Sequence, residues 1–234
     1  MQHTVLITGA SRGIGFAAAR LFAEKGWNVA ICSRNQHDIQ KAATAITEAT
    51  SNQNVAGFAA DMADGPSIAQ LFRDTAERFG NLNALVNNAA VLHTGDIFSL
   101  TDEQFQDMLN INVVGLARCC RHAFSIMKEK GGDIVNISSV AGIQFVDKFD
   151  GLWAYSATKF AVTGLTEALA SEGKRYGIRV NAIAPGATDT DMLQQAAPGY
   201  KPDAKPEDIA PLIHHLCDRQ QSAILNGAVI PVLF

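Results

Sequence analysis

The alternation of short apolar runs with longer segments of helical period constrains this chain most. Runs at residues 4–8, 28–33, 55–60, 84–88, 133–137, 178–184 and 228–232 are short and mostly apolar. Between them apolar residues return every three or four positions, as at Ile14, Ala18, Leu21 and Phe22, the spacing of one helical face. Further helical stretches fall at residues 39–49, 67–79, 153–176 and 206–216. Thr101 with Gln104 three residues on reads as a capping box, so a long helix is expected from there to about Lys130, ended by Gly131-Gly132. Repeated strand–helix units call for a parallel sheet buried on both faces. The predicted fold class is α/β: a doubly wound parallel sheet of about seven strands with helices on both faces. A length of 234 residues suits one such unit. No linker, low-complexity tract or solenoid repeat divides residues 1–234, so a single domain is expected. Residues 187–205 are the least regular stretch and are expected as a loop on the substrate side, beyond the carboxyl ends of the strands.

Composition narrows the function classes. With 47% hydrophobic and 18% charged residues the chain is not intrinsically disordered. A balance of 19 basic and 23 acidic residues, net −4, gives no electrostatic reason to coat nucleic acid or an anionic membrane. The N-terminus lacks the basic and apolar regions of a signal peptide. No apolar run approaches membrane-helix length. A cytoplasmic protein is expected. Cys32, Cys119, Cys120 and Cys217 form no C-x-x-C pair and read as reduced, buried thiols. His214-His215 beside Cys217 lack further ligands at metal spacing, so no metal site is expected.

Thr8-Gly9-Ala10-Ser11-Arg12-Gly13-Ile14-Gly15 joins the first strand to the first helix. Glycines there permit positive φ, let a phosphate approach the backbone and let the helix pack close to the sheet. The helix N-terminus offers free N–H groups and a positive dipole end to a pyrophosphate. Gly9, Ser11, Arg12, Gly13, Ile14 and Gly15 are therefore candidate dinucleotide contacts, with a plain tight turn as the alternative.

The end of the second strand selects between cofactors. An acid there would bond the ribose 2′-hydroxyl of NAD(H), but Cys32-Ser33-Arg34-Asn35 has none. Arg34 lies 19 residues after Gly15, and a guanidinium can clamp a 2′-phosphate through paired hydrogen bonds. With Ser33 beside it and Arg12 as a second charge, NADP(H) is expected over NAD(H); a solvated surface arginine is the alternative. Asp61 and Met62 follow the third strand and are candidates for the adenine edge, unless Asp61 caps the next helix. Asn87-Asn88-Ala89-Ala90 follows the fourth strand. There Asn88, Ala89 and Ala90 suit a backbone passing close to the cofactor, or a plain turn.

Tyr155-Ser156-Ala157-Thr158-Lys159 opens the helix after the fifth strand. Positions i and i+4 share a helical face. A free phenol has a pKa of about 10, whereas a general acid works best near ambient pH. Bringing it to about 7 takes roughly 4 kcal/mol, about what one positive charge at ~4 Å supplies at an effective dielectric of ~20. Lys159 is the candidate charge and a candidate partner for the nicotinamide ribose; a surface pair is the alternative. Ser138-Ser139 ends the fifth strand, where a hydroxyl could bind a carbonyl oxygen opposite the tyrosine. Asn112 lies mid-helix, a poor place for asparagine. Either its amide holds a water against Lys159 or it is a satisfied core side chain.

In this order the pieces resemble the classical short-chain dehydrogenase/reductase family, especially its NADP-dependent 3-oxoacyl and carbonyl reductases. The motifs are Thr8 to Gly15, Asn87-Asn88-Ala89-Ala90, Asn112, the serine pair, Tyr155-x-x-x-Lys159 and Pro185-Gly186-Ala187-Thr188-Asp189-Thr190. The match runs to about Met192 and weakly beyond. The resemblance implies a Rossmann fold, a tetrad of Asn112, Ser139, Tyr155 and Lys159, and a nicotinamide bordered by Ile183, Pro185, Gly186, Thr188 and Thr190. Ser139, followed by Val140-Ala141-Gly142, is the serine it selects. It also implies a homodimer or homotetramer. The implied activity is hydride transfer between NADP(H) and a ketone, aldehyde or secondary alcohol. In it Tyr155 donates the proton, Ser139 stabilises the oxygen, Lys159 lowers the tyrosine pKa and Asn112 completes a water relay. A 3-oxoacyl thioester and a small free ketone both qualify as substrate.

The chain departs from the family pattern in four places. Ala90 stands where the family has glycine. Ser139 and Tyr155 are 16 residues apart, a longer span than usual. The segment after Met192 is short. The final Ile230-Pro231-Val232-Leu233-Phe234 lacks the acid–Gly–Gly finish.

Several residues remain open to more than one reading. His93 faces the substrate cleft or the surface. Phe145, Phe149, Leu152 and Trp153 line an apolar pocket or belong to core or interface. Met192 and Leu193 close as a lid or begin a loop helix. The rival functions are weaker. An NADP(H)-sensing regulator without turnover could dispense with Tyr155 or Lys159, yet both are present. A sugar-nucleotide epimerase needs a larger C-terminal region than the 42 residues after Met192. A methyltransferase leaves Tyr155 and Lys159 unexplained.

Overall fold

The computed structural model describes residues 2–233. In chain order it contains β1 (Thr4–Thr8), α1 (Gly13–Glu24), β2 (Asn28–Ser33), α2 (Gln36–Thr50), β3 (Val55–Ala59), α3 (Gly65–Phe79), β4 (Ala84–Asn87) and α4 (Asp102–Met108). It continues through α5 (Leu116–Met127), β5 (Gly132–Ile137), α6 (Trp153–Gly173), β6 (Ile178–Pro185), α7 (Asp191–Ala196), α8 (Pro206–Cys217), α9 (Arg219–Ser222) and β7 (Val229–Val232). The strands form one seven-stranded sheet in the order β3-β2-β1-β4-β5-β6-β7. Every neighbouring pair is parallel. Leu6 of β1 sits in register between Ala30 and Leu85.

Successive side chains of a strand point to opposite faces, and here both faces are covered. Val5 and Ile7 pack with α1, α2 and α8, while Leu6 packs with α3, α5 and α6. That is why β1 is apolar at consecutive positions rather than alternating. From β1 the chain builds outward to β3, then crosses back to place β4 on the other flank of β1. This reversal opens a crevice beyond the carboxyl ends of β1 and β4. Because all strands are parallel, every loop that follows a strand opens on that same edge. The opposite edge is held by Asp133 of β5. Its buried carboxylate accepts from Arg179 Nε at 2.7 Å and from Arg219 Nε at 3.0 Å, tying β5 to β6 and α9.

The fold class is as predicted, and the capping box is present: Thr101 Oγ1 accepts from Gln104 N–H while the Gln104 side chain accepts from Thr101 N–H. One local expectation needs correction. The long helix after Thr101 is not α-helical throughout, because residues Leu109–Gly115 form a π-helical stretch between α4 and α5. Residues 187–205, expected as the least regular stretch, contain the short α7, capped by Thr190 Oγ1 accepting from Leu193 N–H at 3.3 Å, which decides between the two readings of Met192 and Leu193. Met192 and Leu193 thus begin a loop helix. Among the described residues, no helix is long and apolar enough to cross a membrane.

Candidate active site

The crevice is drawn tight by one side chain. Asn88 Nδ2 donates to Thr8 O and to Gly9 O, both at 2.9 Å. Thr8 Oγ1 accepts in turn from Asn88 N–H and Ala89 N–H, each at 3.0 Å. The end of β4 therefore staples the glycine turn. Gly9 has φ +65°, and a Cβ there would lie 2.7 Å from Ala89 Cα; a Cβ on Gly15 would lie 2.5 Å from Asn88 Nδ2. Both glycines are demanded by close approach. Ala90 keeps a negative φ, so alanine in place of glycine brings no backbone strain.

A dinucleotide fits this turn. Arg12, the N-cap of α1, makes no side-chain bond to the first amides of the helix, whereas Asn35 caps α2 and Asp64 caps α3. The leading N–H groups of α1 are left for an anion. Ile14 packs on the core beneath the turn. Arg34 is exposed after β2, and Ser33 Oγ donates to Asn35 O at 3.1 Å. Arg12 pairs with Asp191 of α7 at 3.2 Å across the mouth. Gly13 meets α7 as well: a Cβ there would lie 3.4 Å from Thr190 Cγ2. Pro185 and Gly186 end β6, with Gly186 N–H donating to Val232 O at 2.9 Å. Thr188 is buried, and its Oγ1 donates to Gly186 O at 3.2 Å.

Of the adenine-edge candidates, Asp61 does not cap the next helix, the alternative left open for it, and Met62 offers its backbone. Asp61 Oδ1 accepts from Ala63 N–H at 2.9 Å, and it is Asp64 that caps α3. Met62 turns its side chain into the core beside Cys119. Only its backbone remains for a ligand, because a buried thioether in that cluster gains more than an exposed one.

Tyr155 and Lys159 are both buried near the start of α6. Lys159 Nζ donates to Ile137 O at 2.8 Å and stands 5.5 Å from the centre of the Tyr155 ring. The residue reading left two serines open, and the structure separates them. Ser138 Oγ is buried and donates to Lys159 O at 3.1 Å, so it packs β5 to α6. Ser139 Oγ accepts from Ala141 N–H at 3.2 Å, which leaves its own proton free, and its nearness offsets part of the effect of burial on the Tyr155 phenol. Gly142 allows this turn to sit on α6, since a Cβ there would lie 2.4 Å from the Lys159 carbonyl carbon.

The expected lowering of the tyrosine by Lys159 is not what the site shows. Burial pushes the Tyr155 phenol well above its ordinary 10, and the Ser139 contact offsets this only in part. Burial also brings Lys159 down to about 8. In a dry site desolvation disfavours both charged forms, and with its value brought down to about 8 Lys159 is still mostly an ammonium at neutral pH.

The Asn112 alternatives are also resolved at the level of its side chain. Oδ1 accepts from Val91 N–H at 2.9 Å, while Nδ2 donates to Val91 O at 2.9 Å and to Thr158 Oγ1 at 3.1 Å. Both amide protons are used within the protein, so the side chain is a satisfied tie rather than a water holder. Thr158, which the sequence reading passed over, is fully buried and donates to Tyr155 O at 2.8 Å. Its only signal was its place inside the Tyr–Lys motif. His93 Nε2 lies 2.9 Å from Asp107 Oδ2, both side chains partly exposed. His214 instead lies between Phe22 and Trp27, away from the crevice.

Comparison with known proteins fits this geometry. A family model described as short chain dehydrogenase matches residues 3–201. A 3alpha-hydroxysteroid dehydrogenase of Mediterraneibacter gnavus is 35% identical over 193 residues, covering 82% of this chain and 76% of that protein. Levodione reductase superposes with a TM-score of 0.91 at 30% identity, covering 98% and 95% of the two chains. Actinorhodin polyketide ketoreductase with NADPH gives 0.89 at 27% identity, covering 99% and 95%. A 3-ketoacyl-(acyl-carrier-protein) reductase from Brucella melitensis with NADH gives 0.88 at 28%, covering 98% and 96%.

Proposed function

The chain belongs to the short-chain dehydrogenase family, and from that premise we propose that it is an NADP(H)-dependent oxidoreductase that reduces a ketone or aldehyde, secondary-alcohol oxidation being the reverse. The observation that carries the reading is the buried phenol of Tyr155, one helical turn before buried Lys159 whose Nζ stands 5.5 Å from its ring, with the turn that carries Ser139 seated on the same helix. The bound nicotinamide supplies the hydride. Ser139 donates to the carbonyl oxygen and holds it beside the phenol. Tyr155 then gives its proton to the alkoxide as it forms. Burial keeps the phenol protonated at neutral pH, so the donor is loaded for reduction. Lys159 places an ammonium behind the ring and reaches the nicotinamide ribose. Asn112 acts through Val91 and Thr158, fixing the end of β4 against α6.

The glycine turn and the open N-terminus of α1 suit the pyrophosphate. Asp61, the Met62 backbone, Asn88, Ala89 and Ala90 line the adenosine side, and Pro185, Gly186, Thr188 and Thr190 border the nicotinamide. NADP(H) over NAD(H) follows from Arg34, with no acid at the end of β2 to bond a 2′-hydroxyl. Arg12 joins it by leaving Asp191, an exposed pair of small worth. Four free buried thiols suit the reducing cytoplasm. A homodimer or homotetramer is supported by Val114 and Phe160, apolar and exposed, and by Gly164 of α6, beside which a Cβ would meet nothing. Absorbance at the reduced-nicotinamide band, with NADPH and then NADH against a carbonyl panel, tests the reading. Oxidation of NADPH in preference to NADH is expected. Silence across the panel overturns the reductase, and a preference for NADH overturns the role of Arg34.

A further inference from the structure

Resting on that reductase reading, we infer that the substrate is a free, uncharged ketone on a bulky apolar frame, not a thioester delivered on a phosphopantetheine arm. The first observation is an aromatic path leading out from the reacting tyrosine. Tyr155 packs with Met108, Ala141 and Ala154, flanked by Leu92, Leu100 and Phe105. The Phe105 ring lies 5.3 Å from that of Trp153 at the start of α6. In the loop that precedes Trp153 in the chain, Phe149 is 62% exposed and Phe145 is fully exposed. Gly95 N–H donates to Gly151 O at 3.0 Å, which ties this loop to the neighbouring one carrying Ile97 and Phe98, the latter 95% exposed. Large apolar side chains facing water on two loops that are tied to each other suit an apolar ligand. Phe145 is moreover held at φ +60°, an outlying conformation for a bulky side chain.

The second observation is how charge is divided along the strand edge. The chain leaving β4, β5 and β6 (residues 88–107, 138–152 and 186–205) carries nine carboxylates against three lysines, while the rest carries 14 acids and 16 bases. The turns leaving β1 and β2 instead present Arg12 and Arg34, and no acid. The turn leaving β3 carries Asp61 and Asp64, and Asp191 reaches Arg12, so the contrast is between the two arginines at the phosphate-binding turns and the excess of acid on the substrate side, which disfavours phosphate there. Asp96, Asp147, Asp150 and Asp189 are exposed on the substrate half. A phosphopantetheine arm, bearing at least one phosphate, meets like charge there. A neutral apolar ketone meets only those apolar side chains, so the arrangement selects by repulsion as well as by fit.

Three probes test this: a neutral bicyclic ketone (decalone), a 3-oxoacyl group as its neutral N-acetylcysteamine thioester, and the same acyl group on coenzyme A. With NADPH at low ionic strength, kcat/KM for each neutral probe is expected to exceed that for the coenzyme A thioester by at least about tenfold. Added salt, or the double variant Asp147→Asn/Asp150→Asn, narrows the gap. A coenzyme A thioester reduced as well as the neutral probes overturns the inference and leaves the reductase standing. Binding is read separately in Trp27→Phe, where Trp153 is the sole remaining tryptophan. Both neutral probes should perturb its fluorescence at lower concentration than the coenzyme A thioester. If no probe turns over, the reductase reading fails, and this titration alone decides the inference: equal or tighter response to the anionic probe, or no response to the neutral ones, overturns it.

Discussion

Tyr155 and Lys159 are displaced in opposite directions by one cause, their burial at the start of α6. The phenol stays protonated and the ammonium becomes easy to lose. Carbonyl reduction is therefore expected to decline as pH rises through about 8, where Lys159 deprotonates; a kcat/KM profile flat to pH ~10, near the ordinary lysine value, would contradict this. The same shift bears on stability. Folded Lys159 binds its proton less tightly than the unfolded chain does, so the native state gains stability as pH rises from about 8 towards the ordinary lysine value. Lys159→Met should remove that gain in denaturant titrations at several pH values. Ser139→Ala should lower kcat by ~10²–10³, the range for one lost oxyanion donor. Ser138→Ala, which cuts only a bond to the α6 backbone, should lower stability and spare kcat. Arg34→Ala should raise the KM for NADPH by about ten- to a hundredfold, on the basis of ~1.5–3 kcal/mol for hydrogen bonds to charged groups. It should leave the KM for NADH unchanged.

The π-helical stretch between α4 and α5 sets Asn112 where it can reach both the end of β4 and α6. Thr158→Val should leave an Asn112 amide proton buried without a partner. A loss of ~1–3 kcal/mol in stability is expected, together with a fall in kcat at constant KM for NADPH, and Thr158→Ser should restore both. Equal behaviour of the valine and serine variants would remove Thr158 from the positioning of Tyr155. This stretch also shows where sequence reading stops. The Thr101–Gln104 box, the glycine turn and the strand runs announce themselves through neighbours within a few residues. Between Asp102 and Met127 the one local sign is Asn112 in mid-helix, which says that the position is unusual but not that the turn is π-helical, because its partners Val91 and Thr158 lie far off in the chain. α7 is legible only as one of two readings of Met192 and Leu193, because it is short and forms where Thr190 lands on Gly13. The pairing of Arg12 with Asp191 joins positions far apart in the chain. The burial of the Met62 side chain beside Cys119 is not legible either, because a strand end alone gives no sign of which way the next side chain turns.

Across the whole molecule, chemistry is confined to one edge of the sheet and a buried ion network closes the other. Asp133 offsets the buried Arg179 and reaches Arg219. Asp133→Ala should cost about 3–5 kcal/mol, because Arg179 is then left as a buried charge without its carboxylate. A fall in the urea midpoint, with kcat retained where the variant is folded, is the expected pattern; an unchanged midpoint would show the network to be dispensable. The account as a whole turns on Tyr155 as proton donor to a carbonyl reduced at the cofactor edge. Its most direct measurement is NADPH oxidation with a ketone by the wild type and by Tyr155→Phe, alongside NADPH affinity for each. The predicted result is turnover by the wild type, a fall of at least ~100-fold in the variant, and NADPH affinity unchanged. A phenylalanine variant that turns over at a near-normal rate would contradict it.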